Sequence, residues 1–313
     1  MKILVFGLGA LGTVYSCLLK EQGHQVSGLD RKIVLNAVSE KGVRVSGIWG
    51  DHTGSLDHLC SEVGELKGQD YDLLILTVKS YETEEVARQI AQVISPNTYV
   101  LLAQNGYGNF EAAAKFIPES RLILGRVIFG AETVELGMSK VTVIADDVVV
   151  GSPSNVIDAQ VLEVYSQIFN EAGIPTRTSS EVMKFVWGKI IYNSALNPLG
   201  AILEVPYGKL AENENTRNLM DSMIDEIFAV LAAHNQKTLW PDADSYRQAF
   251  YGQMVPATVL HHASMLQDIQ RGRRTEIDAL NGAVVKLGEH YGVNTPINKV
   301  IVSLLKAKEE LGK

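Results

Sequence analysis

The apolar positions of this chain keep two different rhythms. In the first half, largely apolar runs of strand length occupy Lys2–Phe6, Gln25–Leu29, 72–78 and 99–103, with helix-like periodicity between them at 11–21 and 82–93. Alternation of buried strand and helix argues a parallel, doubly wound α/β sheet. Val- and Ile-rich runs at 121–128, 140–144 and 148–150 predict further strands, and a helix follows over 157–172 until Gly173 and Pro175 break it. After residue 178 the strand pattern almost vanishes. Thr178-x-x-Glu181 has the spacing of a capping box that opens a helix, and Val182, Phe185, Val186 and Ile190 continue with helical period. Further helices are predicted over 216–233, 245–268, 277–291 and 298–311. Two domains are expected: a sheet domain over 1–177 and an all-helical domain over 178–313.

The first run breaks into Gly7-x-Gly9-x-x-Gly12 and resumes as a helical pattern. Strand, glycine turn, helix is the context in which this spacing binds a dinucleotide. Gly7 permits the turn, Gly9 lets the backbone approach a pyrophosphate, and Gly12 lets helix pack on strand. The helix N-terminus adds N–H groups and a positive dipole end. Leu8, Ala10 and Leu11 complete the loop as cofactor-binding candidates, and the domain is expected to be Rossmann-type. The plainer reading is a tightly packed strand-turn-helix corner. Asp30 lies 18 residues beyond Gly12, near the ~20 at which an acid meets the ribose 2′-hydroxyl of NAD. Arg31 and Lys79 argue for the 2′-phosphate of NADP. NADP(H) is favoured, because Asp30 could turn toward Arg31 or Lys32; NAD stays open because of Asp30.

Composition narrows the class. A chain of 313 residues suggests two domains, and 46% hydrophobic with 20% charged residues is a soluble, globular balance. Two cysteines, Cys17 and Cys60, rule out a disulfide framework and fit a reducing compartment. A net charge of −8 argues against a nucleic-acid partner, so an anionic ligand needs local positive groups. No run reaches the ~18 unbroken apolar residues of a membrane helix. The glycines in the first run and the lack of a small-residue cleavage site argue against a secretory signal. A cytoplasmic location is expected.

Lys189, Asn193 and Asn197 recur every four residues within an apolar helical pattern. On a helix they form one stripe that drifts ~80° over two turns. Such groups need partners or a wet cleft. They form either a solvated face, with Asn197 ending the helix before Pro198, or a cleft stripe aimed at a polar ligand. Partial desolvation moves a lysine's pKa toward neutrality, so a cleft lysine can protonate a ketone oxygen as hydride reaches the carbon. A second cluster runs from Ser264 to Gly282. Gly272 and Thr275-x-x-Asp278 predict a helix break there. Glu276 then falls in the first turn of a new helix, where a dipole-stabilising acid is the plainer reading. Gln104-Asn105-Gly106 follows a strand run, at the sheet edge where ligands bind, or is a simple Asn-Gly turn. No metal site is suggested, since His261 and His262 are neighbours that do not share a helix face. Tyr246, Phe250, Tyr251 and Met254 could supply a homodimer face or pack in the core.

With these residues in order, the chain resembles the ketopantoate reductase (2-dehydropantoate 2-reductase) family over nearly its whole length. The motifs are Gly7-x-Gly9-x-x-Gly12, Thr77-Val-Lys79, Gln104-Asn105-Gly106, Lys189-x-x-x-Asn193-x-x-x-Asn197-Pro198-Leu199, Ser264-Met-Leu-Gln-Asp268 and Thr275-Glu276-Ile-Asp-x-x-Asn281-Gly282. The resemblance implies reduction of 2-dehydropantoate to (R)-pantoate with NADPH, on the route to pantothenate and coenzyme A. It implies Lys189 as general acid and Glu276 as the acid that orients lysine and substrate. It also implies Asn105 near nicotinamide and substrate, Asn193, Asn197 and Ser264 as substrate contacts, and Arg31 and Lys79 on the phosphate. Gly200, Glu204 and Tyr207 depart from the family pattern, which often has Thr after Asn-Pro-Leu and smaller or amide residues at the other two positions. A modified acyl pocket is expected. Two alternatives are an NADH-dependent reductase of another small 2-oxo acid and a non-catalytic NAD(P)-sensing protein.

Overall fold

The computed structural model describes residues 1–312. It divides into two compact units, residues 1–104 with 109–182, and residues 105–108 with 183 onward. Unit 1 is built on β1 (Lys2–Phe6), β2 (Gln25–Leu29), β3 (Val43–Gly47), β4 (His52–Gly54), β5 (His58–Cys60), β6 (Leu73–Leu76), β7 (Tyr99–Leu102), β8 (Leu122–Arg126), β9 (Phe129–Glu135), β10 (Met138–Ile144), β11 (Val148–Gly151) and β12 (Thr176–Thr178). The main sheet has the order β12-β11-β8-β7-β6-β1-β2-β5. All its pairings are parallel except β8 with β11. β1 and β6 read as unbroken apolar runs because both of their faces are buried: Ile3, Leu4, Val5, Leu73, Leu74 and Ile75 are fully inaccessible.

From β1 the chain steps to β2 on one side and later returns to β6 on the other, so the order reverses beside β1. Ligands of such sheets bind at the carboxyl ends of the strands at that reversal. Phe6 pairs level with both Leu29 and Leu76. The glycine turn after β1, Asp30 after β2 and Thr77 after β6 therefore emerge side by side. The unit-1 helices are α1 (Ala10–Glu21), α2 (Lys32–Lys41), α3 (Thr83–Ile90), α4 (Asn109–Ala114) and α5 (Ala159–Glu171).

The structure corrects several sequence expectations. Residues 138–144 belong to a separate sheet of order β4-β3-β10-β9, not to the main one. Its strands are partly exposed, with Arg44, Glu132 and Lys140 interleaved, so they lack a continuous apolar signal. The capping box does not form. Thr178 ends β12 and its hydroxyl turns to Glu163, while Ser179 Oγ accepts the Glu181 N–H at 3.0 Å.

Unit 2 is helical: α6 (Val182–Leu203), α7 (Tyr207–Glu212), α8 (Glu214–Ala233), α9 (Ala243–Ala249), α10 (Ser264–Gln270), α11 (Asn281–Tyr291) and α12 (Pro296–Leu311). α6 is wrapped by the others, with Trp187, Ile191, Ala195 and Leu196 fully buried. Gly188 is required beside Trp240, whose ring would lie 2.8 Å from an added Cβ. Contrary to the reading in which Asn197 ends the helix, Pro198 lies inside α6. A proline there lacks the N–H that would bond the carbonyl four residues back. That carbonyl, Ser194 O, instead accepts from Asn281 Nδ2 at 3.0 Å. The predicted helix 245–268 is broken in three. A wide turn at Phe250–Met254 and a tight turn at Pro256–Thr258 precede α10. The freed backbone carbonyls of Val259 and His261 accept the N–H groups of Gly208 and Tyr207 at 3.0 and 3.1 Å.

Candidate active site

In unit 1 the glycine turn is set by close backbone approach. Gly7 has φ +95°, and an added Cβ would stand 3.0 Å from Val78 N. A Cβ on Gly12 would stand 1.8 Å from Gly7 O and 2.7 Å from Thr77 Oγ1. Thr77 donates its hydroxyl to Gly7 O at 2.5 Å, which ties the turn to the end of β6. Gly9 differs. It is the N-cap of α1 with φ −74°, and nothing lies within 4 Å of a Cβ placed on it. α1 has no side-chain cap and no acidic residue in its first turn. Its leading N–H groups and dipole end therefore carry no built-in anion, which suits a phosphate.

Asp30 occupies the neighbouring strand end. Its Oδ2 accepts the Leu8 N–H and its Oδ1 the Arg31 N–H, each at 2.6 Å. The Arg31 guanidinium lies 3.7 Å from Oδ1, and its side chain is 79% exposed. The acid that sequence spacing offers to a ribose is thus also a brace for the glycine turn. Lys79 begins the short turn Ser80–Glu82 that follows β6.

In unit 2, α6 carries Lys189, Asn193 and Asn197 on successive turns. Lys189 is half-buried and donates Nζ to Asn105 Oδ1 at 2.6 Å, across 84 residues of sequence. Asn105 belongs to the short segment 105–108 that clusters with the helices. Gly106, at φ +90°, is required there, since a Cβ would meet both the Cβ and the carbonyl oxygen of Ala279 at 2.6 Å. Tyr107 N–H donates to Ala279 O at 2.8 Å, and its ring stacks on Trp187 at 5.0 Å. Ala279 ends the tight turn Ile277–Ala279 that Glu276 opens. Lys189, Asn105 and the Glu276 turn are therefore held in one neighbourhood, and Glu276 is buried within it.

Further along α6, Asn193 and Asn197 are 8% and 5% exposed. Asn197 Oδ1 accepts the Tyr207 hydroxyl. Ser264 is exposed at the start of α10, and the preceding Ala263 faces Gly200, three residues past Asn197. The break at Gly272, with φ +61°, separates α10 from the Glu276 turn, and Thr275 Oγ1 accepts the Ile277 N–H at 3.3 Å.

Residues 3–155 match the profile described as ketopantoate reductase PanE/ApbA, and residues 181–309 match its C-terminal counterpart. A 2-dehydropantoate 2-reductase of Aquifex aeolicus is 45% identical over 99% of this chain and 97% of its own. The chain belongs to the ketopantoate reductase family. By that membership it is an oxidoreductase. Among solved structures, a PanE/ApbA family ketopantoate reductase from Ralstonia eutropha superposes with TM-score 0.88 at 28% identity, covering 100% of this chain and 99% of its own. D-mandelate dehydrogenase, solved with NADH and anilino(oxo)acetate, superposes with TM-score 0.89 at 25% identity and the same coverage. Among the described residues no helix is long and apolar enough to cross a membrane.

Three residues gain a place that sequence reasoning did not give them. Thr77, seen only as part of a motif, anchors the glycine turn. Asn281, likewise, replaces the hydrogen bond lost to Pro198 and also donates to Asn298 Oδ1 at 2.9 Å. Tyr207, noted only as a departure from the family pattern, is buried against Asn197. Glu204, another of these departures, pairs at 2.7 Å with Lys308 at the end of α12.

Proposed function

We propose that this chain reduces 2-dehydropantoate to (R)-pantoate with NADPH, using Lys189 as the general acid. The observation that carries the reading is the 2.6 Å contact from Lys189 Nζ to Asn105 Oδ1 on a helix whose next two turns present asparagine amides. A ketone that accepts hydride at carbon develops negative charge on oxygen, which a positioned ammonium stabilises and then protonates. The reduced nicotinamide supplies that hydride when bound. Asn105 holds the Lys189 ammonium in one direction, and the lysine regains its proton from solvent after product leaves. Glu276 orients the lysine and the substrate, while Asn193, Asn197 and Ser264 hold the hydroxyl and carboxylate. Residues 7–12 cradle the pyrophosphate, and Asn105 lies near the nicotinamide. Arg31 and Lys79 meet the 2′-phosphate.

The coenzyme preference rests on the state of Asp30. Both of its oxygens already accept backbone N–H groups, whereas the Arg31 side chain extends into solvent. Arg31→Ala is expected to raise KM for NADPH about tenfold, the loss of one charge-assisted contact, and to leave KM for NADH unchanged. Equal changes for both coenzymes would remove Arg31 from phosphate recognition.

A second reading is an NADH-dependent reductase of another 2-oxo acid, with the D-mandelate dehydrogenase likeness in its favour. One experiment separates the two: purified protein is given NADPH or NADH with ketopantoate and a panel of aliphatic and aryl 2-oxo acids, and oxidation of the coenzyme is followed. We expect kcat/KM to be highest for ketopantoate with NADPH. A higher value for an aryl acid with NADH selects the second reading. Tight coenzyme binding without turnover of any acid points to a sensor.

A further inference from the structure

An asparagine side chain is ambiguous: its oxygen accepts, its nitrogen donates, and a flip exchanges them. On α6 the two asparagines differ in this respect. The Asn193 amide has no hydrogen-bond partner among the described residues, so no hydrogen bond sets which of its ends donates. Asn197 is tied to Tyr207, whose hydroxyl has that amide as its one partner among the described residues. We propose that Tyr207 is a positioning residue that locks Asn197 with Nδ2 outward, so that this turn of α6 selects an acceptor oxygen, a carboxylate, over a primary amide. The proposal rests on the functional reading above and adds a specificity determinant to it.

The direction of the bond follows from burial. Tyr207 is 3% exposed, and burial holds its phenol protonated, far above the usual tyrosine range. With the amide flipped, the phenol oxygen would face Nδ2 and the phenol proton would be buried without an acceptor, which is costly. The observed orientation satisfies the phenol and leaves Nδ2, a pure donor, without a partner among the described residues. Tyr207 is itself immobile. Its backbone N–H donates to His261 O at 3.1 Å, and its ring meets Tyr192 and His261 edge-on at 6.0 and 5.2 Å. Gly200 makes the room: a Cβ there would stand 3.7 Å from Tyr207 Cε1, so the further methyl of a β-branched residue would crowd the ring. Gly200 and Tyr207, two of the three departures from the family pattern, are thus a matched pair. A carboxylate is acceptor-only and complements a fixed donor, whereas a primary amide also offers N–H groups that only a flipped asparagine could take.

The test compares wild type, Tyr207→Phe, Asn197→Ala and the double variant, with ketopantoate and its primary amide as substrates. Tyr207→Phe keeps the ring and removes only the hydroxyl. We expect its KM for the acid to rise about five- to tenfold, the range of one hydrogen bond, with kcat within twofold and coenzyme KM unchanged. The acid-over-amide ratio of kcat/KM should fall by a similar factor. In the Asn197→Ala background the same change should have no further effect. An unmoved KM and ratio in Tyr207→Phe, or an effect that persists without Asn197, overturns the proposal while leaving the reductase reading intact. A wild type inactive on every 2-oxo acid overturns both. If Tyr207→Phe does not fold, Asn197→Asp carries the test: replacing the outward donor by an acceptor should reverse the acid-over-amide preference, and an unchanged preference refutes the donor role.

Discussion

Lys189→Met is expected to lower kcat by about 10³-fold, within the span usual for loss of a general acid, while Kd for NADPH stays within twofold of wild type. Methionine keeps an unbranched side chain as far as the ε position and removes the ammonium. Lys189 is half-buried on a helix packed on its other faces, so the backbone has no reason to move. What is lost is the donor aimed by Asn105. If the ammonium acts only as the oxygen gains charge, kcat and kcat/KM should fall together. A kcat within threefold of wild type would remove Lys189 from the chemistry. A fall in coenzyme affinity of the same size would make it a binding residue.

The glycine turn gives the second large effect, as a pair of opposite outcomes. Gly12→Ala places a methyl group 1.8 Å from Gly7 O, a backbone atom that cannot swing away. It should cost about 3 kcal/mol, the upper range for overpacking, and lower Tm by roughly 6–12 °C. Gly9→Ala meets nothing within 4 Å and needs no positive φ. Its Tm should match wild type within a degree or two. Its Kd for coenzyme should nevertheless rise at least tenfold, because the space the new methyl fills is where a pyrophosphate would approach. Thermal unfolding and coenzyme titration of both variants separate a glycine that packs from one that binds. If Gly9→Ala bound coenzyme normally, this turn would be a packing corner and nothing more.

Which parts of this could be read in advance follows from where each signal resides. β1, β6 and β7 were legible because burial on both faces leaves apolar runs with no alternation. β3, β4 and β9 were not, since they are half-exposed and their polar residues resemble loop. The Lys189–Asn193–Asn197 stripe was visible as a four-residue spacing. Its partner was not visible: Asn105 follows a sheet strand, and only the tertiary structure groups it with the helices. Asp30 shows the limit of spacing in another way. Its distance from Gly12 fits a ribose ligand, but the Leu8 N–H engages the same carboxylate, and spacing carries no record of that competition. The break in the 245–268 helix had one local cue, Pro256. The reason for the break, two carbonyls turned to α7, lies some fifty residues away in sequence.

Pro198 has a consequence for biosynthesis. The amide that substitutes for its missing donor comes from Asn281, 87 residues beyond Ser194. A ribosome that has just finished the α6 segment has yet to make the donor that the Ser194 carbonyl, three residues before Asn197, requires. That end of the stripe gains its final rigidity only when α11 emerges and docks. Chains interrupted before residue 281 are expected to carry the lysine and both asparagines yet lack the brace that holds them in register.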